Sequence, residues 1–209
     1  IFSALNLMLL ILFQLKALFF RLLPELLGLA AQHGGLGFFL LQLLPKLIQS
    51  FHERYPAVTF DLYTATADHI RDRMDRGLTD VGLLLEPVSM EKYDYIALNP
   101  QEQWVVAMSP GAPLSKLDCI TPEDLKGAPL ILPRRLDVQS ELARWFGDEF
   151  EKLNILMTAN LPSNSSVMAH YKLAYAIIIL GSISFWNPDK IVWRPLEPRL
   201  KASSVLAWR

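Results

Sequence analysis

The chain has 209 residues, 52% of them hydrophobic and 20% charged, with a formal net charge of −1. That length supports an ample core in one domain or two small ones. The near-zero charge leaves no electrostatic footprint for nucleic-acid binding. The single cysteine excludes an intramolecular disulfide and a thiolate-rich metal site. Cys119 itself reads as buried filler in a loop or strand start, and it fits a reducing compartment.

The chain begins with a leucine-rich run over residues 1–33. It has no basic stretch before its apolar core and no small-residue cleavage site close behind, so it does not read as a signal peptide. Gln14, Lys16 and Arg21 interrupt the roughly 20 apolar residues that a bilayer span needs. Leu7, Leu10, Ile11, Gln14, Leu15, Leu18, Leu22 and Leu26 follow near-heptad spacing, which predicts a long helix burying one face against a partner. Pro24 kinks or restarts it. A membrane-associated segment and a distorted sequence are the competing readings.

Gly34, Gly35 and Gly37 separate this run from the rest of the chain. Leu44, Leu47, Ile48, Phe51 and Tyr55 recur at helical spacing, and Pro56 ends that helix. Val58, Phe60 and Leu62 alternate with polar residues, the period of a strand. Thr66 is placed to cap a second helix carrying Ile70 and Met74, which Gly77 stops. The apolar run Val81–Leu85 reads as a strand covered on both faces, completing a βαβ unit. Further strands are predicted at Tyr95–Leu98, Gln103–Met108, Leu130–Leu132, Asn154–Asn160, Tyr175–Leu180, Ile191–Trp193 and Val205–Trp208. Thr121 and Pro122 start a helix followed by carboxylates, Val138–Phe150 form an amphipathic helix, and Ser163 opens another. Alternating strands and helices with a mid-chain switch predict an α/β fold of two lobes.

Chemistry-bearing motifs are scarce. The sequence contains no Gly-rich phosphate loop, HExxH, CxxC or GxSxG. The four histidines, His33, His52, His69 and His170, stand at no metal-ligand spacing. Asp75 and Asp80 flank a turn, where carboxylates are usually solvated. No cofactor or metal is therefore expected, and no catalytic residue is assigned. A cleft is the better candidate. Ser163, Asn164 and Ser165 bring hydroxyls and an amide to a helix N-terminus, which favours an anion, although capping alone accounts for one of them. Thr64 and Thr66 make a similar entrance earlier. Pro133, Arg134 and Arg135 follow a buried strand, so a guanidinium lies at the carboxyl end of the sheet, where α/β folds place ligands. A surface salt bridge is the competing reading for each arginine. Together these groups suit a small polar or acidic metabolite, a carboxylate among the candidates.

The segments LLPKLIQSFHERYPAV, DRGLTDVGLLLEP, PEDLKGAPLIL and WRPLEPRL resemble the effector-binding region of LysR-type transcriptional regulators over roughly residues 35–209. The resemblance implies two Rossmann-like lobes of the type 2 periplasmic-binding-protein fold, preceded by a long linker helix. Residues 1–33 would be the linker and dimerisation helix, 34–87 and 194–209 lobe I, and 88–193 lobe II. It implies a first strand at Leu36–Leu40, with the loop at Phe38–Gln42 shortened. It also implies an effector held between the lobes by that loop, by Thr64 and Thr66, by Pro133 to Arg135 and by Ser163 to Ser165. Where the family has a glycine-rich turn, this chain has His170–Tyr175. The implied function is ligand sensing and dimerisation, as a homodimer or tetramer in the cytoplasm, with no membrane involvement. DNA would be contacted only by a winged helix-turn-helix absent from this chain. A transporter's solute-binding protein shares the fold and is the alternative; an enzyme on this fold lacks a nucleophile–base pair to support it.

Overall fold

In the computed structural model, residues 39–209 are described. The predicted linker helix at 1–33 and the segment Leu36–Phe38 lie outside them. The chain divides into two compact units, residues 1–63 and 64–209.

In the first unit, helix α1 runs Phe39–Arg54. Phe39 and Leu40, expected at the end of a strand, are its first turn, so the apolar run is helical there. Phe51 is buried and packs against the rings of Tyr55 at 4.8 Å and Phe60 at 5.8 Å. The strand expected at Val58–Leu62 does not form: the segment has no sheet pairing, and Leu62 is 66% exposed. Alternation alone does not make a strand, because each backbone donor and acceptor needs a neighbour to pair with.

In the second unit, helix α2 (Ala67–Asp75) follows Thr66, whose extended backbone starts it. The Thr66 hydroxyl lies 3.2 Å from Nδ1 of His69 rather than capping the helix. Gly77, at φ +67°, ends this element in a conformation open to glycine. Strand β1 (Val81–Leu85) pairs antiparallel with β7 (Lys201–Trp208), so the expected parallel βαβ unit is absent among the described residues. Nor is β1 covered on both faces. Leu84 is buried under α2, whereas Leu83 is 38% exposed on the other side. Gly82 explains the close approach of the helix: a Cβ there would stand 2.7 Å from Sδ of Met74 and 3.0 Å from Cγ2 of Ile70.

The two strands expected at Tyr95–Leu98 and Gln103–Met108 are one, β2 (Asp94–Met108). Its first part pairs with β7, and the register slips between Leu98 and Glu102. Its last part pairs with β5 (Tyr175–Ile179) and β6 (Val192–Pro195). Beyond β5 come β3 (Leu130–Pro133) and then β4 (Ile155–Ala159), both parallel, to give the order β1-β7-β2-β5-β3-β4. The predicted strands at residues 130–132, 154–160, 175–180, 191–193 and 205–208 all appear, within a few residues at their ends.

Side-chain alternation sorts the interior onto two faces of this sheet. Trp104, Val106, Met108, Leu130, Leu132 and Ile177 point to one side, where helix α3 (Leu136–Phe146) supplies Val138, Leu142 and Phe146. Val105, Ala107, Ile131, Ala176 and Ile178 point to the other, where helix α4 (Pro162–His170) supplies Ala169. The helix expected over Val138–Phe150 leaves α-geometry at Gly147 and continues as a 3-10 turn, Gly147–Lys152. The start at Thr121 yields only the 3-10 turn Glu123–Leu125, with the Asp124 carboxylate accepting from the Thr121 backbone N–H at 2.8 Å and hydroxyl at 2.7 Å. Lys172, in the turn after α4, takes a left-handed φ of +63°.

Candidate functional site

Strands β3, β4 and β5 run parallel, so their carboxyl ends lie along one edge of the sheet, and α3 and α4 begin just after β3 and β4. This is the edge at which open α/β sheets leave backbone groups free for ligands. Pro133, Arg134 and Arg135 occupy the step from β3 into α3. The Pro133 carbonyl accepts from Nε2 of Gln139 at 2.8 Å, closing the first turn of the helix.

The two arginines have different environments. Arg134 is exposed, and its backbone N–H donates to the Ala159 carbonyl at 2.9 Å, tying the end of β3 to the end of β4. Arg135 has a side chain only 12% exposed. Its Nη1 donates to the Leu85 carbonyl at 3.0 Å and its Nη2 to the Pro87 carbonyl at 2.5 Å. Nε of Arg135 lies 3.5 Å from the Asp68 carboxylate in the first turn of α2, and Asp137 is 4.0 Å from Nη2. Arg135 is thus a staple between β1, α2 and α3, while the Arg134 side chain faces solvent.

The remaining candidates fall on either side of this step. Asn160, just past β4, accepts from Nδ2 of Asn164 at 3.5 Å, which brings the first turn of α4 beside the Arg134–Ala159 bond. Ser163 and Asn164 are exposed there, whereas Ser165 and Ser166 are buried. The Ser166 hydroxyl donates to the Pro162 carbonyl at 2.9 Å, a bond within the helix. On the opposite side, Thr66 stands two residues before Asp68, the partner of Arg135, with its own hydroxyl turned to His69, and Thr64 is exposed on the approach to α2. The segment Pro133–Arg135 therefore links the α2 entrance to the α4 entrance.

One group escaped the sequence reading. Glu102 on β2 is 3% exposed, and burial pushes its carboxyl up to about 8, opposed by a hydrogen bond from the Gly181 backbone N–H. In sequence it stands two residues before the apolar run Trp104–Met108, beside Gln101 and Gln103, with nothing local to mark it as buried. Among the described residues no group of three or more metal-ligating side chains converges, and no helix is long and apolar enough to cross a membrane.

A mixed sheet with helices packed on both faces is an α/β architecture. Comparison with known proteins makes the class specific. The LysR substrate binding domain family matches residues 35–209, and the chain belongs to that family. It is an effector-sensing regulatory domain.

The chain is 28% identical over 165 residues to the uncharacterized HTH-type transcriptional regulator YvbU of Bacillus subtilis, covering 78% of this chain and 55% of that protein. It is 26% identical over 171 residues to the Hca operon transcriptional activator HcaR of Escherichia coli, covering 80% and 57%. The chain thus spans little more than half the length of these curated relatives. Among solved structures, the effector binding domain of a BenM variant superposes with a TM-score of 0.66 at 18% identity, covering 80% of this chain and 79% of that one. The reduced OxyR regulatory domain from Pseudomonas aeruginosa superposes at 0.64 with 19% identity, covering 79% of each chain. At such identities these structures speak for the fold.

Proposed function

We propose that this domain binds a small polar or acidic effector at the carboxyl edge of β3–β5 and, through its occupancy, sets the DNA-binding state of a LysR-type regulator. The observation that carries the reading is the Pro133–Arg135 step, which ties the α2 entrance to the α4 entrance through Arg135–Asp68 and Arg134–Ala159. Arg134 supplies a guanidinium suited to a carboxylate. Ser163, Asn164, Thr64 and Thr66 supply hydroxyl and amide groups beside helix N-termini, where the dipole favours negative charge. Pro133 and Arg135 hold this arrangement.

The reading has lobe I at residues 34–87 and 194–209 and lobe II at 88–193, with the effector shifting one lobe against the other. The domain acts as a homodimer or tetramer in the cytoplasm and without catalytic turnover. DNA contact belongs to a winged helix-turn-helix of the regulator. Membership of the LysR family disfavours a transporter's solute-binding protein.

The test is a thermal-shift screen of the purified chain against anionic, neutral and cationic metabolites. An effector raises the melting temperature by several degrees, and the rise disappears in Arg134→Ala and Asn164→Ala. A screen in which no compound shifts the transition, or a hit indifferent to both variants, contradicts this placement.

A further inference from the structure

Arg135, at the start of α3, lies in the stretch read as lobe II, yet Leu85, Pro87 and Asp68 belong to the stretch read as lobe I. These partners differ in kind. The Leu85 and Pro87 carbonyls are backbone groups at the end of β1, where the chain leaves lobe I, and they cannot swing away. Asp68 is carried by α2, and its side chain is 56% exposed.

The contact with Asp68 is incomplete. Nε of Arg135 is buried and makes no hydrogen bond, although the Asp68 carboxylate stands 3.5 Å away. The two groups attract as an ion pair without the alignment of a hydrogen bond. A buried donor left in this way calls for a specific account. The end of α2 that carries Asp68 also has no side-chain cap, because the Thr66 hydroxyl is turned to His69.

A second carboxylate makes Asp68 dispensable to the charge. Asp137 lies 4.0 Å from Nη2 of Arg135 and stands on α3, the helix that Arg135 itself begins. It therefore travels with the guanidinium and balances it when Asp68 withdraws. An ion pair with one exposed partner contributes little free energy, so the paired and parted arrangements lie close together. Two arrangements of similar free energy are what a switch requires.

We propose that Arg135 is a clamp between the lobes, with the Leu85 and Pro87 carbonyls as its fixed jaw and Asp68 as its releasable one. Engaged, it holds the start of α2 against the start of α3 and sets one angle between the lobes. Released at Asp68, it lets them turn about the passage from β1 to β2. The clamp rests on the effector-sensing reading and names the element that an effector at the neighbouring Arg134 biases.

Double electron–electron resonance on the full chain tests it, with spin labels at Leu78→Cys and Arg144→Cys in a Cys119→Ser background. Leu78 is 58% exposed beyond α2, and the Arg144 side chain is 76% exposed on α3. Asp68→Asn moves the mean label separation by more than about 2 Å, or splits the distribution. Its melting temperature stays within a few degrees of the parent's, which separates release from unfolding. Sodium chloride at about 1 M shifts the parent in the same way and leaves Asp68→Asn where it is. An Asp68→Asn distribution identical to the parent's overturns the clamp, as does an equal response to salt in both proteins. If the distances hold while the thermal-shift screen finds an Arg134-dependent ligand, the effector-sensing reading stands and the clamp falls. If the distances move and no compound binds, the clamp stands and the effector placement falls.

Discussion

Two neighbouring arginines show how little residue type says without its surroundings. Arg135 satisfies two carbonyls and an aspartate from three elements, while Arg134 directs its charge outward. Removing Arg135 strands the Leu85 and Pro87 carbonyls, and hydrogen bonds from a charged donor contribute about 1.5–3 kcal/mol each. Arg135→Ala is therefore expected to lower unfolding stability by roughly 2–4 kcal/mol in urea titrations, whereas Arg134→Ala stays within about 0.5 kcal/mol. Glu102 makes a separate prediction in pH. Its carboxyl titrates near 4.5 when unfolded and about 8 when folded, so the native state binds the extra proton between those values. Stability then carries this group's full contribution below about pH 4.5 and loses it as pH rises through about 8. Glu102→Gln should flatten that part of the stability–pH curve, and parallel curves for variant and parent would refute the assignment.

At the scale of elements, α2 is held against β1 by the absence of a side chain at Gly82. Gly82→Val drives a branched group into Met74 and Ile70, with an expected loss of about 1–3 kcal/mol and lowered helix content by circular dichroism. The turn after α4 offers the opposite change. Lys172 sits in the left-handed region that glycine occupies freely, so Lys172→Gly is expected to raise stability by up to about 1 kcal/mol. Local pattern was a good guide to some elements and a poor one to others. The buried strands Leu130–Pro133 and Tyr175–Ile179 were legible because consecutive apolar residues with β-branched members have few other uses. Val58–Leu62 carried an equally regular alternation and formed no strand, because pairing depends on a distant neighbour that local pattern does not encode. The single strand Asp94–Met108 looks like two in sequence, since Asn99 and Pro100 resemble a turn and are instead carried within the strand at its register shift.

At the scale of the whole molecule, class was more legible than site. The LysR relationship over residues 35–209 follows from several dispersed segments, each short but jointly specific. The candidate contacts were legible as residue types at strand ends and helix starts, and the structure does bring Arg134, Asn160 and Asn164 into one neighbourhood. What could not be read was partnership: that Arg135 is engaged by three elements, that Ser165 is buried, and that Glu102 lies inside. Each depends on contacts between residues tens of positions apart.

The long strand β2 has a mechanical consequence. Its first residues hydrogen-bond to β7 beside α2, and its last ones to β5 and β6 between α3 and α4, so one backbone is a structural member of both parts of the sheet. Neither part can melt without tearing half of the other's central strand. Amide protons at Tyr95–Leu98 and at Trp104–Met108 should therefore exchange with solvent at one common free energy, that of global unfolding. The few amides at the register slip should escape earlier, marking the single place where this shared beam can flex.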